Sequence, residues 1–267
     1  MDYQEVFAPV ANLESVRIIV SLAAKYDLEL DQMDVLTAYL NGELEEELYM
    51  SPPEGVPIQP GYCWRLKHSL YGLKQAGRTW NKTLDQKLGE LGFTWLDAET
   101  CLYVIRREGH VCFLVVYVDN LLLAASTWKF MDKMKSALGS AFKMHDLGEA
   151  KYILGVELWR DQASRTISLS QSQYIQTVLE RTGMKDCKPV YTPLQHNLKL
   201  VLATPEDGPP ITEVKIDGKL VSYLTVIGSL MYAMLGTRPN LAYTIGVLSH
   251  FSAAPMEAHW DAAKRML

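Results

Sequence analysis

The sequence predicts an α+β fold in which helices pack on one face of an antiparallel sheet. Residues 111–118 and 121–125 are apolar, partly β-branched runs that flank an Asx pair, Asp119-Asn120, as in a buried hairpin. Apolar residues at helical spacing recur before and after that hairpin. Over 267 residues, 48% apolar and 21% charged, there is ample material to bury a core in one large domain or two modest ones.

In chain order, residues 13–26 read as a helix, with Asn12 as N-cap and Leu13, Val16, Val20, Ala23 and Ala24 on one face. Residues 28–35 read as a strand, followed by a tight segment over 36–42. The prolines and glycines of 51–61 mark a turn-rich loop, and 63–73 looks extended. Trp80, Leu84 and Leu88 repeat every fourth residue, so 77–90 is an amphipathic helix that stops near Gly92. After the hairpin come a helix over 128–138, an extended stretch over 151–159 and a helix over 172–182. Residues 192–219, rich in Pro, Asp and Thr, read as a linker. Helices follow over 223–235, 240–251 and 256–267, with Pro239 marking the start of the second.

Composition excludes several classes. Cys63, Cys101, Cys112 and Cys187 are too widely spaced for a disulfide framework, so a reducing, intracellular compartment is expected. The amino terminus lacks the basic start and apolar core of a signal peptide. The longest apolar run, 111–126, is broken by Asp119 and Asn120 and is shorter than the ~20 residues of a membrane helix. The histidines and cysteines lack zinc-finger spacing, and neither a glycine-rich phosphate loop nor a serine-nucleophile motif is present. A net charge of −5 gives no overall basic surface for nucleic acid. Two local clusters, Lys67, Lys74, Arg78, Lys82 and Lys129, Lys133, Lys135, Lys143, read by themselves as solvated helix faces.

Asp34 closes a predicted strand and Asp119 sits at the hairpin tip. Carboxylates raised on the strand ends of a rigid sheet can hold two Mg²⁺ ions, whose hard character suits oxygen ligands. Such ions activate a hydroxyl and neutralise charge on a phosphoryl group in transfer. Residue type alone leaves open the reading of Asp119 as a plain turn residue.

The surrounding motifs are more specific. Asp34-Val35-Leu36-Thr37-Ala38-Tyr39-Leu40-Asn41-Gly42 resembles the first catalytic motif of copia-type reverse transcriptases. Ser69-Leu70-Tyr71-Gly72-Leu73-Lys74-Gln75-Ala76-Gly77-Arg78-Thr79-Trp80 resembles that family's template- and nucleotide-contacting segment, and Tyr117-Val118-Asp119-Asn120 its aspartate-pair hairpin. Asp146-Leu147-Gly148 with Tyr152-Ile153-Leu154-Gly155-Val156-Glu157, then Thr192-Pro193-Leu194, then Gly228-Ser229-Leu230 with Thr237-Arg238-Pro239 continue in the family's order across nearly the whole chain.

The resemblance implies a polymerase palm with partial fingers over 1–160, a thumb-like segment and linker over 161–215, and a helical connection over 216–267. It implies Asp34 and Asp119 as metal ligands, joined by the Val35 carbonyl. Tyr39 would lie beneath the sugar and select deoxynucleotides; by itself it reads equally as a core aromatic. Gln75 would contact the incoming nucleotide, where residue type alone gives an exposed glutamine. Lys143 would protonate the departing pyrophosphate, although alone it is a surface lysine. Leu154, Gly155 and Val156 would form the primer grip, where the pattern alone gives a strand. The implied partners are a primed RNA or DNA template, deoxynucleoside triphosphates and other segments of a retrotransposon polyprotein, in the cytoplasm (as a virus-like particle) or the nucleus.

The chain departs from the family in two ways. Asn120 stands where the family has its second hairpin aspartate, and Asn240 where it usually has aspartate; each difference is one G-to-A change, as in a decaying element. The motifs also lack the basic fingers residues upstream and the RNase H region downstream, so a copy truncated at both ends is expected. With one carboxylate fewer, impaired polymerisation is expected, the alternatives being an inactive relic or a non-enzymatic nucleic-acid-binding module.

Overall fold

The computed structural model describes residues 6–57, 59, 61–216 and 218–267. The stretch read for a signal peptide at 1–5, Ile58 and Pro60 of the turn-rich loop, and Asp217 of the predicted linker lie outside these residues. The chain divides into two units, one of residues up to Lys151 with Trp159–Ile167, the other of Tyr152–Leu158 with Ser168–Leu267.

The first unit opens with α1 (Leu13–Tyr26), whose Val16, Ile19, Val20 and Ala23 are buried. Asn12 occupies the N-cap position but does not cap with its side chain, which turns instead to Glu99 at 3.2 Å. Asp27 ends the helix in the left-handed region, and its carboxylate receives Arg160 at 2.7 Å. The chain then runs through β1 (Glu29–Val35), a 3₁₀ turn at Ala38–Asn41, and the β2 (Glu43–Met50) and β3 (Trp64–His68) hairpin. Helix α2 (Ala76–Leu91) follows, stopped by Gly92 at φ 95°. Strands β4 (Thr94–Leu96), β5 (Glu99–Arg107), β6 (His110–Tyr117) and β7 (Asn120–Ala125) lead to α3 (Trp128–Ala141) and β8 (Met144–Glu149). The Thr127 hydroxyl caps α3 by accepting from Phe130 N–H.

Six strands form one sheet in the order β4-β5-β6-β7-β1-β8, every neighbouring pair antiparallel. Side chains alternate across a pleated strand. Met33, Val35, Leu114, Val116, Leu121 and Leu123 therefore share one face, where they pack with Trp80, Leu84 and Leu88 of α2 and Phe130, Met131 and Leu138 of α3. Each such burial stabilises by about 1.5–3 kcal/mol. The alternate residues Leu30, Leu122 and Ala124 are buried on the opposite face, and α1 packs against β1, β6 and β7. Helices thus cover both faces, which corrects the one-faced arrangement expected from sequence. A strand buried on both sides reads as a continuous apolar run, as residues 121–125 do.

Two extended stretches are shorter than predicted. Residues 63–73 are strand only through His68, after which turns lead into α2. Residues 151–159 fold back on themselves as β9 (Tyr152–Ile153) and β10 (Val156–Asp161), with Ile153 opposite Val156. The two loop residues, Leu154 at φ 49° and Gly155 at φ 73°, both take the left-handed conformation that tight hairpins favour. A Cβ at 155 would stand 2.7 Å from the Tyr232 hydroxyl, which donates to Leu154 C=O, so glycine is favoured there by both φ and space.

After β10 come β11 (Thr166–Ser170) and α4 (Ser172–Arg181). The rest of the second unit is the β12 (Glu213–Ile216) and β13 (Lys219–Ser222) hairpin, α5 (Tyr223–Gly236), α6 (Ala242–Ser249) and α7 (Glu257–Met266). Its core gathers Tyr223, Ile227, Leu230, Ile245, Leu248 and Trp260. The stretch read as a linker lays Leu194, Leu198, Leu200 and Ile211 against this core, and Trp260 Nε1–H donates to Ile211 C=O at 2.6 Å. Among the described residues no helix is long and apolar enough to cross a membrane.

Candidate active site

The β6–β7 hairpin pairs Tyr117 with Asn120, so its two-residue loop is Val118-Asp119. Sequence reading placed the loop one residue later; Asn120 is in fact the first residue of β7. The shift gives Asp119 the tip and puts Val118 at φ 57°, a conformation that costs a β-branched residue about 1–3 kcal/mol. Trp80 helps hold it there. Its ring is buried and stacked edge-on against Phe142 at 5.1 Å, and Nε1–H donates to Val118 C=O at 2.7 Å. The tip is tied to β1 as well, because Val35 N–H donates to Asp119 C=O at 2.8 Å.

Register brings the acids together. Asp34 lies opposite Asn120 on β7 and opposite His145 on β8. Asp31 points toward α3, where Lys135 binds it at 2.6 Å, so by alternation Gln32 and Asp34 point to the other face. Gln32 Nε2–H donates to Asn120 Oδ1 at 3.1 Å, and Asn120 Nδ2–H donates to Asp119 Oδ1 at 3.1 Å. Burial and then the neighbouring Asp119 charge push the Asp34 carboxyl above its ordinary range, with His145 pulling the other way. The Tyr71 hydroxyl is raised by burial and then by Asp119, Tyr39 and Asp34. The Tyr71 ring rests 4.7 Å from that of Tyr39, tilted by 52°.

A carboxyl raised by burial and by a neighbouring carboxylate charge makes a site that gains from a cation. Their hard oxygens suit a divalent ion. Among the described residues no three His, Cys, Asp or Glu side chains converge on a metal position. The third neighbour is the Asn120 amide.

The other predicted residues fall as follows. Val35 is buried beside Asp34. Lys143 is exposed, and its C=O accepts from Leu36 N–H at 3.0 Å, joining β8 to the end of β1. Gln75 is only 3% exposed at the N-cap of α2, unlike the exposed glutamine that residue type suggests. Leu154, Gly155 and Val156 belong to the second unit. Lys135 is no solvated helix residue: it is buried between Asp31 and Asp146, each at 2.6 Å.

A family profile described as reverse transcriptase (RNA-dependent DNA polymerase) matches residues 1–196. The chain belongs to the reverse transcriptase family. Its relatives place this reverse transcriptase domain among the copia-type elements. It is 42% identical over 270 residues to a retrovirus-related Pol polyprotein from transposon TNT 1-94 of Nicotiana tabacum, covering all of this chain and 20% of the relative. Against the RE2 polyprotein of Arabidopsis thaliana it is 35% identical over 269 residues, covering all of this chain and 18% of the relative. A Ty5-1 transposon protein of Saccharomyces cerevisiae is 31% identical over 237 residues, 88% of this chain and 74% of that one. The chain thus spans about a fifth of the two plant polyproteins. Reverse transcriptases generally use divalent metal ions.

Sequence reading assigned no role to Gln32, Tyr71, Trp80 or His145 in this candidate site. Tyr71 and Trp80 lie inside a quoted motif, but nothing in residue order says that they meet Tyr39 and Val118. Gln32 and His145 become neighbours of the acids only through strand register.

Proposed function

We propose that this chain is the palm-bearing part of an RNA-directed DNA polymerase, with Asp34 and Asp119 holding Mg²⁺ against a primed template and deoxynucleoside triphosphates. The supporting observation is the register that sets Asp34 beside the Asp119 tip, with the Asp119 charge raising the Asp34 carboxyl. Bound there, the metal would supply Lewis-acid activation of a primer hydroxyl and neutralise charge on the phosphoryl group. Asp34 and Asp119 serve as the binding oxygens, with the Val35 carbonyl a further donor. Trp80 holds the hairpin tip in place through Val118. Tyr39, backed by Tyr71, is the surface on which the sugar rests. Gln75 and Lys143 act on the nucleotide, and Leu154, Gly155 and Val156 act on the primer.

Asn120 sets the level of activity. An amide in place of a carboxylate leaves two negative side chains, and each ~1.4 kcal/mol of lost transition-state stabilisation is tenfold in rate. Primer extension on a primed RNA template with Mg²⁺ tests the reading. The parent chain extends weakly, Asn120→Asp at least about tenfold faster, and Asp34→Asn in either background not at all. Extension that survives Asp34→Asn contradicts it.

The Asn120 hydrogen bond to Asp119 favours a second reading, template–primer binding without extension. Salt-sensitive binding of a primed template by a chain that never extends it, even as Asn120→Asp, is the outcome that selects this reading.

A further inference from the structure

The Asn120 side chain is engaged at both ends. Gln32, 6% exposed, donates to its oxygen at 3.1 Å, and its own N–H donates to Asp119 at 3.1 Å. An ionised carboxylate only accepts, so this order of donors fixes which way the amide points. We propose that Gln32 and Asn120 form an internal substitute for a cation: Gln32 aims the amide, and the amide N–H takes the Asp119 lone pair that a metal ion would otherwise share. The inference rests on the reading of Asp34 and Asp119 as a divalent-cation site.

The physical content is a competition. The amide dipole beside Asp119 offsets part of the repulsion between Asp119 and Asp34. An arriving ion has to break a charge-assisted hydrogen bond to reach the same oxygen. A carboxylate at 120 reverses both effects. It repels the two acids when no ion is present, still accepts from Gln32, and adds an oxygen for an ion. Gln32 is thus a positioning residue that acts through Asn120.

Thermal melting at neutral pH reads both halves, using the parent chain, Asn120→Asp and the near-isosteric Gln32→Glu, each in EDTA and across a MgCl₂ titration. In EDTA both variants melt below the parent. With Mg²⁺ both variants gain more than the parent, and their midpoints are tighter by about tenfold or more. In Gln32→Glu the new carboxylate cannot donate, so it draws the amide N–H to itself and turns the Asn120 oxygen toward the ion. Equal melting of parent and Asn120→Asp in EDTA, or an equal Mg²⁺ response, overturns the substitute. Lost stability with an unchanged Mg²⁺ response in Gln32→Glu reduces Gln32 to packing and overturns its positioning role. No Mg²⁺ response in any form overturns the cation site and the substitute together.

Discussion

Asp34 carries an electrostatic signature of the site. Burial and Asp119 raise its carboxyl from the ordinary 3.8, so the folded chain binds that proton more tightly than the unfolded chain. Stability is therefore lost as pH rises from the ordinary carboxyl value through the raised one. Asp34→Asn removes this cost. The variant is expected to melt above the parent in EDTA at neutral pH, with the gain gone below the ordinary carboxyl range, as calorimetry across pH would read. A lower melting point at neutral pH would contradict the mutual repulsion of the two acids. Residue types alone did not reveal this coupling. Asp34 and Asp119 were legible through their motifs, whereas Gln32 and His145 carry no signal until β7 and β8 are set on either side of β1.

At the scale of elements, α3 is fastened to the sheet by a buried ion pair. Burial draws the Lys135 ammonium downward, but hydrogen bonds to Asp146 and Asp31 outweigh it and hold its proton above the ordinary range. That contribution is present at neutral pH and lost only in strong alkali, as pH rises through the raised value. Lys135→Met leaves Asp31 buried and uncompensated, and is expected to cost about 3–5 kcal/mol in chemical denaturation. A loss well under about 1 kcal/mol would show that water reaches Asp31. This contact escaped sequence reading because β8, Met-His-Asp-Leu-Gly-Glu, has no alternating apolar pattern. It is a strand because β1 offers it an open edge, a tertiary cause. The acidic β2 has no unbroken alternating apolar pattern either, and its strand partner is β3. The helices and the apolar hairpin were legible, because their own periodicity matches the faces they bury. Even there the turn was placed one residue late, since a valine at φ 57° runs against intrinsic preference and depends on Trp80.

Across the whole molecule, the two units have separate cores and separate vulnerabilities. In the second, His259 is buried and stacked on Phe251 at 4.0 Å; its Nδ1 accepts from Met256 N–H at 2.8 Å and its Nε2 lies 3.1 Å from Val201 C=O. Burial holds its pKa below the ordinary 6.5, against the pull of the Val201 bond. The unfolded chain takes up the proton first, so this unit's stability is full above that value and falls as pH drops below it. Its melting transition is expected to fall on mild acidification, and less so in His259→Gln; identical pH profiles would contradict the assignment.

In the first unit, the proposal on which the others depend is that Asp34 and Asp119 serve one shared divalent-ion site. Mn²⁺ binding followed by electron paramagnetic resonance in Asp34→Asn, Asp119→Asn and the double variant tests it most directly. A shared site predicts that either substitution removes most of the binding and that the second adds little. Two independent losses that simply add, or full binding in either single variant, would contradict it.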